Sequence, residues 1–190
     1  MARVLVLHAS IDGQTARIAD RIAAVLRARG LEATVLAANA PEAPARIGEH
    51  DGIVVGAGIR YGRHAAWLEK LVRAHLAQIT ARPNAFYSVC LSAGGPGARP
   101  ATARGYLDDF QRRTGWSSAQ AASFAGALLY RRYAPVIRFM MRLILSVAGG
   151  DTDTSRDYDY TDWTAVERYA EEFARRMSAP GTPGVQSAGA

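Results

Sequence analysis

The apolar and polar positions of the chain alternate between two patterns, one typical of buried strands and the other of amphipathic helices. Five short apolar runs predict strands that are buried on both faces. They cover residues 3–7, 32–37, 51–57, 85–91 and 121–127. Apolar residues at helical spacing predict helices over residues 15–29, 64–79, 102–113 and 162–177. This alternation predicts a parallel α/β sheet covered on both faces, with ligands bound at the carboxyl ends of its strands.

The composition is that of one globular domain. The 190 residues are 49% apolar and 21% charged, and we expect the domain to cover residues 1–177. Residues 178–190 are small and rich in glycine and proline, which predicts a disordered tail. No run reaches the roughly 18 apolar residues of a membrane-spanning helix. The apolar run at the start of the chain ends within eight residues, which is too short for a signal peptide. The histidines and the single cysteine, Cys90, lack metal-ligand spacing, so we expect no metal site.

The loop after the first predicted strand has the composition of a phosphate site. It consists of Ser10, Ile11, Asp12, Gly13, Gln14 and Thr15. Two hydroxyls, a glycine that permits close backbone approach and the free N–H groups of the next helix suit a phosphate dianion. The loop lacks the glycine spacing of dinucleotide sites and the lysine of a P-loop, which favours a monophosphate such as FMN. The alternative is a plain capped turn, with Ser10 or Asp12 as the N-cap.

The loops after the third and fourth predicted strands could complete a flavin site. In the first of them a tyrosine lies between glycines, so that a flavin ring can stack against it. The residues predicted to bind the cofactor there are Gly58, Ile59, Arg60, Tyr61 and Gly62. The next loop leaves main-chain groups free for the polar edge of the ring, at Ser92, Ala93 and Gly94. The alternative for the tyrosine loop is a surface loop with solvated arginines.

A long segment, residues 128–161, separates the fifth predicted strand from the last helix. In a minimal fold of this kind the chain would pass almost directly from that strand into the helix. Residues 136–145 are strongly apolar, and Arg138 and Arg142 lie one helical turn apart. Such a helix suits contact with acidic lipid, a lipophilic partner or a second copy of the chain. The alternative is that it packs back onto the domain, where its methionines fill gaps in the core.

The charge of the chain agrees with an anionic partner. Its formal net charge is +6, from 23 basic and 17 acidic residues. A basic balance favours phosphate, nucleic acid, acidic lipid or a substrate that carries carboxylates, and of these we expect no nucleic-acid partner.

These features together resemble the flavodoxin-type, quinone-dependent protoporphyrinogen IX dehydrogenases, which carry out the last oxidation before iron insertion in haem synthesis. The resemblance covers residues 3–177 and rests on seven segments in the same order. They are Asp12-Gly13-Gln14-Thr15, Gly56-Ala57-Gly58-Ile59-Arg60-Tyr61-Gly62, Ala85-Phe86-Tyr87-Ser88-Val89, Ala125-Gly126-Ala127-Leu128, Arg138-Phe139-Met140, Gly149-Gly150-Asp151-Thr152-Asp153-Thr154 and Tyr160-Thr161-Asp162-Trp163. The resemblance implies a flavodoxin-like three-layer sandwich with strand order 2-1-3-4-5 and a long helical insert at about residues 128–150.

The resemblance also implies a function. The family oxidises protoporphyrinogen IX to protoporphyrin IX with FMN as cofactor and a quinone as electron acceptor, peripherally on the inner, cytoplasmic face of the cell membrane. Its FMN segments fall on residues 11–15 and within residues 86–154, where they include Gly150, Asp153 and Thr154. The family's long insert is associated with activity on the porphyrinogen. The candidates for the substrate propionates are Arg60, Arg63, Arg131 and Arg132. No side chain stands out as an obligatory acid or base, and a homo-oligomer stays open.

Three other functions share the predicted fold. A flavodoxin-type electron carrier binds FMN without turning over an organic substrate, but such carriers usually present an acidic face. A flavin-dependent NAD(P)H:quinone reductase would use the same cofactor. A receiver-type signalling domain needs an acidic cluster after the first strand, where this chain has only Asp12.

Overall fold

The computed structural model describes residues 1–178. The predicted tail therefore lies outside the described residues except for Ser178, which is the last residue of the final helix. The strands are β1 Arg3–Ala9, β2 Glu32–Ala37, β3 Gly52–Gly58, β4 Asn84–Cys90, β5 Ala121–Ala125, β6 Ala127–Leu128 and β7 Tyr158–Asp159. The helices are α1 Gln14–Ala28, α2 Ala43–Glu49, α3 Ala66–Ala74, α4 Leu76–Thr80, α5 Pro100–Thr114, α6 Pro135–Ala148 and α7 Trp163–Ser178.

The main sheet has five parallel strands in the order β2-β1-β3-β4-β5, which confirms the predicted flavodoxin-like architecture. Successive side chains of a strand point to opposite faces, and β1 divides its apolar residues accordingly. Val4 and Val6 pack with α1 and α7 on one face. Leu5 and Leu7 pack with α2, α3 and α5 on the other. Burial on both faces explains why the strands read as continuous apolar runs.

Three elements differ from the sequence-based prediction. The loop between the second and third predicted strands contains an unpredicted short helix, α2, which begins at Ala43, includes Pro44 and buries Ala43 and Ile47 against the sheet. The predicted helix over residues 64–79 is two helices, because the backbone of His75 leaves the helical conformation between α3 and α4.

The fifth predicted strand is also divided. The ladder with β4 ends where Ala125 pairs with Cys90, and the Gly126 N–H donates to the Cys90 carbonyl at 3.2 Å. The chain then leaves the sheet as β6, which pairs antiparallel with β7. The two-stranded ribbon therefore joins the two ends of residues 127–159, the segment that contains the insert, beside the carboxyl ends of the main strands.

Helix α6 is the centre of the insert, and much of its apolar surface is exposed. The exposed large apolar residues on it are Val136, Ile137, Phe139, Met140, Leu143, Ile144 and Val147. No helix within residues 1–178 combines the length and the hydropathy that crossing a bilayer requires.

Candidate functional site

A cavity of about 520 Å³ lies at the carboxyl ends of the central strands. This is the place where ligands bind in open α/β sheets. The residues predicted from sequence that line it are Ile11, Asp12, Gln14, Thr15, Gly58, Ile59, Arg60, Tyr61 and Arg132. The loops after β1 and β3 and the insert therefore meet around one space.

The loop after β1 has the backbone geometry of an anion site. Gly13 is the N-cap of α1 and has a φ of +93°, a conformation that an L side chain rarely adopts. Its N–H donates to Ser10 Oγ at 3.1 Å, while no side chain caps the first turn of α1. The N–H groups of that turn are thus left for an external acceptor, and the helix dipole favours a negative one.

Thr15 brings the first and second loops together. A Cβ placed on Gly58 would lie 3.0 Å from Thr15 Oγ1, so this hydroxyl lies directly against the main chain of the second loop. The hydroxyl of Tyr87 donates to the Thr15 carbonyl at 3.1 Å from the buried side. Complete burial raises the pKa of Tyr87, which stays a neutral donor. The beginning of α1 is therefore positioned from the core of the protein.

The side chain of Gln14 anchors the loop to the ribbon. Its Nε2 donates to Asp159 Oδ1 at 3.0 Å and to Thr161 Oγ1 at 2.7 Å. Arg17 Nη1 donates to Gln14 Oε1 at 2.8 Å and pairs with Asp159 Oδ2 at 3.2 Å. Partial burial alone would raise the pKa of Asp159, but hydrogen bonds from Thr161 and Gln14 and the charge of Arg17 hold it below its ordinary value. The amide of Gln14 is therefore engaged in positioning the loop.

The second loop is a tight hairpin whose tip presents Tyr61. The N–H of Arg60 donates to the Arg63 carbonyl at 3.0 Å, and the return bond measures 3.3 Å. Tyr61 and Gly62 have φ values of +51° and +75°, as in the two-residue turns that favour Asn-Gly. Within residues 1–178, Tyr61 is the one non-glycine residue with positive φ. Such a strained aromatic residue, 83% exposed beside a cavity, indicates a functional position.

A buried histidine holds this hairpin from below. His64 Nε2 lies 2.9 Å from the Oγ of Ser88, which is fully buried on β4. The rings of Phe86 and Phe110 pack edge-on against the imidazole. Burial, and then the charge of Arg113, lowers the pKa of His64 to about 4. The imidazole is therefore neutral near pH 7 and joins the hairpin to the sheet.

The insert closes the cavity with residues that the sequence did not assign to the site. Ile137 and Met141, one helical turn apart, line the cavity from α6, and Ile137 is less exposed (39%) than Phe139 (67%) or Leu143 (58%) on the same helix. Further lining residues, which the prediction did not name individually, are Val89, Cys90, Leu91, Gly126, Ala127, Tyr133 and Ala134. Burial raises the pKa of the Cys90 thiol, which disfavours the thiolate.

Several predicted residues do not line the cavity. Ser10, Gly13, Gly62 and Arg63 belong to the two loops at its rim. Ser92 and Ala93 end the turn after β4, and a Cβ on the following Gly94 would lie 2.8 Å from the Ala125 Cβ. The other predicted residues outside the cavity lining are Arg131, which precedes α6, and Gly150, Asp153 and Thr154, which follow it.

Two of these residues have hydrogen-bond partners in the segment that follows the insert. Arg131 donates from its N–H to Asp157 Oδ1 and from Nε to the Ser155 carbonyl, both at 2.9 Å. Asp153 accepts hydrogen bonds from Ser155 through Oδ1, at 3.0 Å from the N–H and 2.7 Å from the hydroxyl. These contacts fold residues 151–157 against the turn that precedes α6.

Comparison with solved structures agrees with this architecture. Oxidised flavodoxin 1 from Bacillus cereus superimposes with a TM-score of 0.54 at 17% identity, covering 92% of this chain and 98% of that one. The flavoenzyme NAD(P)H:(acceptor) oxidoreductase of Paracoccus denitrificans has a TM-score of 0.51 at 15% identity, covering 94% and 98%. Likeness at this level of identity establishes the fold alone.

Comparison of sequences is more specific. The flavodoxin domain family matches residues 5–155. Protoporphyrinogen IX dehydrogenase [quinone] of Escherichia coli (strain K12) is 36% identical over 178 residues, which cover 94% of this chain and 98% of the relative. The protein of the same name from Leishmania major is 34% identical over 176 residues, covering 90% and 74%. The chain therefore belongs to the flavodoxin-domain family of protoporphyrinogen IX dehydrogenases [quinone].

Proposed function

We propose that this chain oxidises protoporphyrinogen IX to protoporphyrin IX with a quinone as electron acceptor, using FMN. Membership of the flavodoxin family indicates a flavin cofactor, and the relatives are named for this substrate and acceptor. The observation that carries the proposal is the cavity in which the loop of Gly13, the hairpin of Tyr61 and the apolar face of α6 converge.

The residues of the cavity fit FMN. The uncapped first turn of α1 and the backbone of Gly13 suit one phosphate. A planar ring can lie between the Tyr61 hairpin and the ends of β4 and β5, where Gly126 offers main chain without a side chain. When bound, FMN would supply the chemistry of electron transfer from the porphyrinogen to the quinone.

The chain itself contributes binding, orientation and exclusion of water. Ile137 and Met141 give the cavity an apolar wall, which suits a macrocycle and a quinone ring. Arg60, which lines the cavity, and Arg63, at its rim, are suited to hold propionate carboxylates by charge-assisted hydrogen bonds. His64 is bonded to Ser88 and holds the hairpin in position.

Anaerobic mixing tests this function. The FMN-loaded protein is combined with protoporphyrinogen IX and a quinone, and porphyrin fluorescence is followed against the apoprotein and against a reaction without quinone. Full conversion that requires both the flavin and the quinone supports the proposal. A flavin that NADPH reduces and protoporphyrinogen does not would establish the reductase alternative. A flavin that neither compound reduces would establish an electron carrier.

We further propose a peripheral position on the inner face of the cell membrane, with α6 in contact with acidic lipid. Phe139, Leu143 and Val147 form an exposed apolar stripe along α6, and Arg142 is exposed on the same helix. Apolar residues beside a cation suit the boundary between headgroups and acyl chains of an anionic leaflet.

Sedimentation with vesicles tests the membrane contact. Wild type should bind vesicles that contain phosphatidylglycerol more strongly than neutral ones, and Phe139→Ser combined with Leu143→Ser should lose most of this binding. Trp67→Ser removes an exposed apolar side chain from α3 and should bind as wild type does. Concentration-dependent dimerisation that the α6 variant abolishes, without vesicle binding, would instead assign the surface to a second copy of the chain.

A further inference from the structure

The insert places an arginine over the loop proposed to bind phosphate. Arg132 ends the short helical turn Tyr130–Arg132, and its Nη1 lies 3.6 Å from the position that a Cβ on Gly13 would occupy. Arg132 also lines the cavity. Resting on the proposed function, we propose that Arg132 binds the phosphate of the cofactor rather than a propionate of the substrate.

The turn that carries Arg132 is fixed by its neighbours. The buried side chain of Tyr130 donates from its hydroxyl to the Asp151 carbonyl at 2.7 Å. Arg131 is held on the other side by the Ser155 carbonyl and by Asp157, both at 2.9 Å. Adjacent arginines therefore have different tasks: Arg131 folds the insert, whereas Arg132 extends towards the loop after β1.

The charges around the loop explain why a cation is needed there. The loop itself carries the carboxylate of Asp12 and no basic residue, so a phosphate dianion would meet a like charge. The nearby Arg17 is engaged by Asp159 and Gln14. Among the described residues, no carboxylate lies within ion-pair distance of Arg132. Its planar guanidinium is therefore available for phosphate oxygens.

Arg60, the other arginine in the cavity, lies elsewhere. Its guanidinium carbon is 5.4 Å from the ring centroid of Tyr61, on the hairpin after β3. Arg60 is thus at the ring end of the cavity and Arg132 at the phosphate end. Because Arg132 is three residues before Pro135, the first residue of α6, phosphate binding would also tie the insert to the cofactor.

The test compares FMN with riboflavin, which has the same ring and no phosphate. Affinities of the apoprotein are measured by quenching of flavin fluorescence. Arg132→Gln should weaken FMN binding about 10- to 100-fold, as expected for loss of a charge-assisted hydrogen bond, and should leave riboflavin binding within about twofold of wild type. Higher ionic strength should weaken FMN binding to wild type more than to the variant.

Arg142→Gln is the matched control, since it removes the same charge from an exposed position in the insert, and it should retain both affinities. Equal loss of FMN and riboflavin affinity in Arg132→Gln would overturn the proposal, because Arg132 would then act on the shape of the cavity. Unchanged FMN affinity with a raised KM for protoporphyrinogen would also overturn it, in favour of a propionate contact. Failure of wild type to bind FMN would instead refute the proposed function itself.

Discussion

The buried hydroxyl of Tyr87 donates a 3.1 Å hydrogen bond to the main-chain carbonyl of Thr15, and so connects the centre of the sheet to the first turn of α1. Tyr87 belongs to β4, and its ring lies against the backbone of Gly56 on β3. Three elements of the core therefore set the position of the loop proposed to bind phosphate. The packing of the sheet therefore determines the geometry of this loop before any ligand binds.

Tyr87→Phe should lower the free energy of unfolding by about 1 kcal/mol, because it removes one buried hydrogen bond and keeps the ring. Urea unfolding of the apoprotein measures the change. Tyr106→Phe removes a hydroxyl that has no hydrogen bond within the described residues, and should change stability by less than about 0.5 kcal/mol. Equal effects in the two variants would contradict a specific role for the bond to Thr15.

Gly56→Ala should destabilise the protein by about 1–3 kcal/mol, because the core has no space for one further methyl group. A Cβ on Gly56 would lie 1.9 Å from Cζ of Tyr87, whose buried ring cannot move aside without losing its packing. Gly105→Ala is the control, in the middle of α5 with nothing within 4 Å. It should stabilise the protein by about 0.5–1 kcal/mol through higher helix propensity. Thermal unfolding distinguishes the two variants, because Gly56→Ala should lower the Tm and Gly105→Ala should raise it.

The parallel sheet could be predicted because burial on both faces leaves a pattern of local apolar runs, whereas its strand order was implied by the family resemblance. The loops after β1 and β3 could also be predicted to meet, since they follow neighbouring strands of a parallel sheet. The division of the fifth predicted strand after Ala125 could not be predicted, because the residues of β6 continue the apolar run of β5. Only the tertiary pairing of β6 with β7 distinguishes them.

The insert explains most of what the sequence did not reveal about the site. The apolar pattern of α6 predicts a helix, but apolar residues cover all of it except the side of Arg138 and Arg142, so the pattern does not identify Ile137 and Met141 as the side facing the cavity. Likewise, two adjacent arginines look alike in the sequence. Their separation into Arg131, bound to residues 155 and 157, and Arg132, beside Gly13, depends on the fold of the turn.

Tyr61→Asn should raise the free energy of unfolding by about 0.5–1 kcal/mol, because asparagine tolerates the positive φ that strains tyrosine and creates the Asn-Gly pair typical of such hairpins. Loss of the stacking surface should weaken FMN and riboflavin binding equally, by about 2- to 10-fold. Tyr61→Phe keeps the ring and should retain both affinities. A loss confined to FMN would contradict a ring contact and indicate that the hairpin acts on the phosphate.

His64 makes the stability of the fold dependent on pH. Burial lowers its pKa from an ordinary value of 6.5 to about 4 in the folded state. Between these values the unfolded chain binds a proton that the folded chain does not, so acid favours unfolding. The contribution of the neutral imidazole is therefore complete above pH 6.5 and is lost as the pH falls towards 4. A pKa shift of this size corresponds to a change of about 3 kcal/mol at most in the free energy of unfolding.

Urea unfolding at a series of pH values between 4 and 7.5 measures this dependence. His64→Asn keeps a polar partner for Ser88 but cannot titrate, so it should start from a lower stability at pH 7.5 and lose less of it on acidification. His75→Asn changes a surface histidine that contacts Gln78, and it should keep the wild-type slope because His64 is intact. If His64→Asn and wild type lose stability in parallel down to pH 4, the imidazole is not buried in its neutral form. The hairpin of Tyr61 would then lack the support from β4 that positions it beside the cavity.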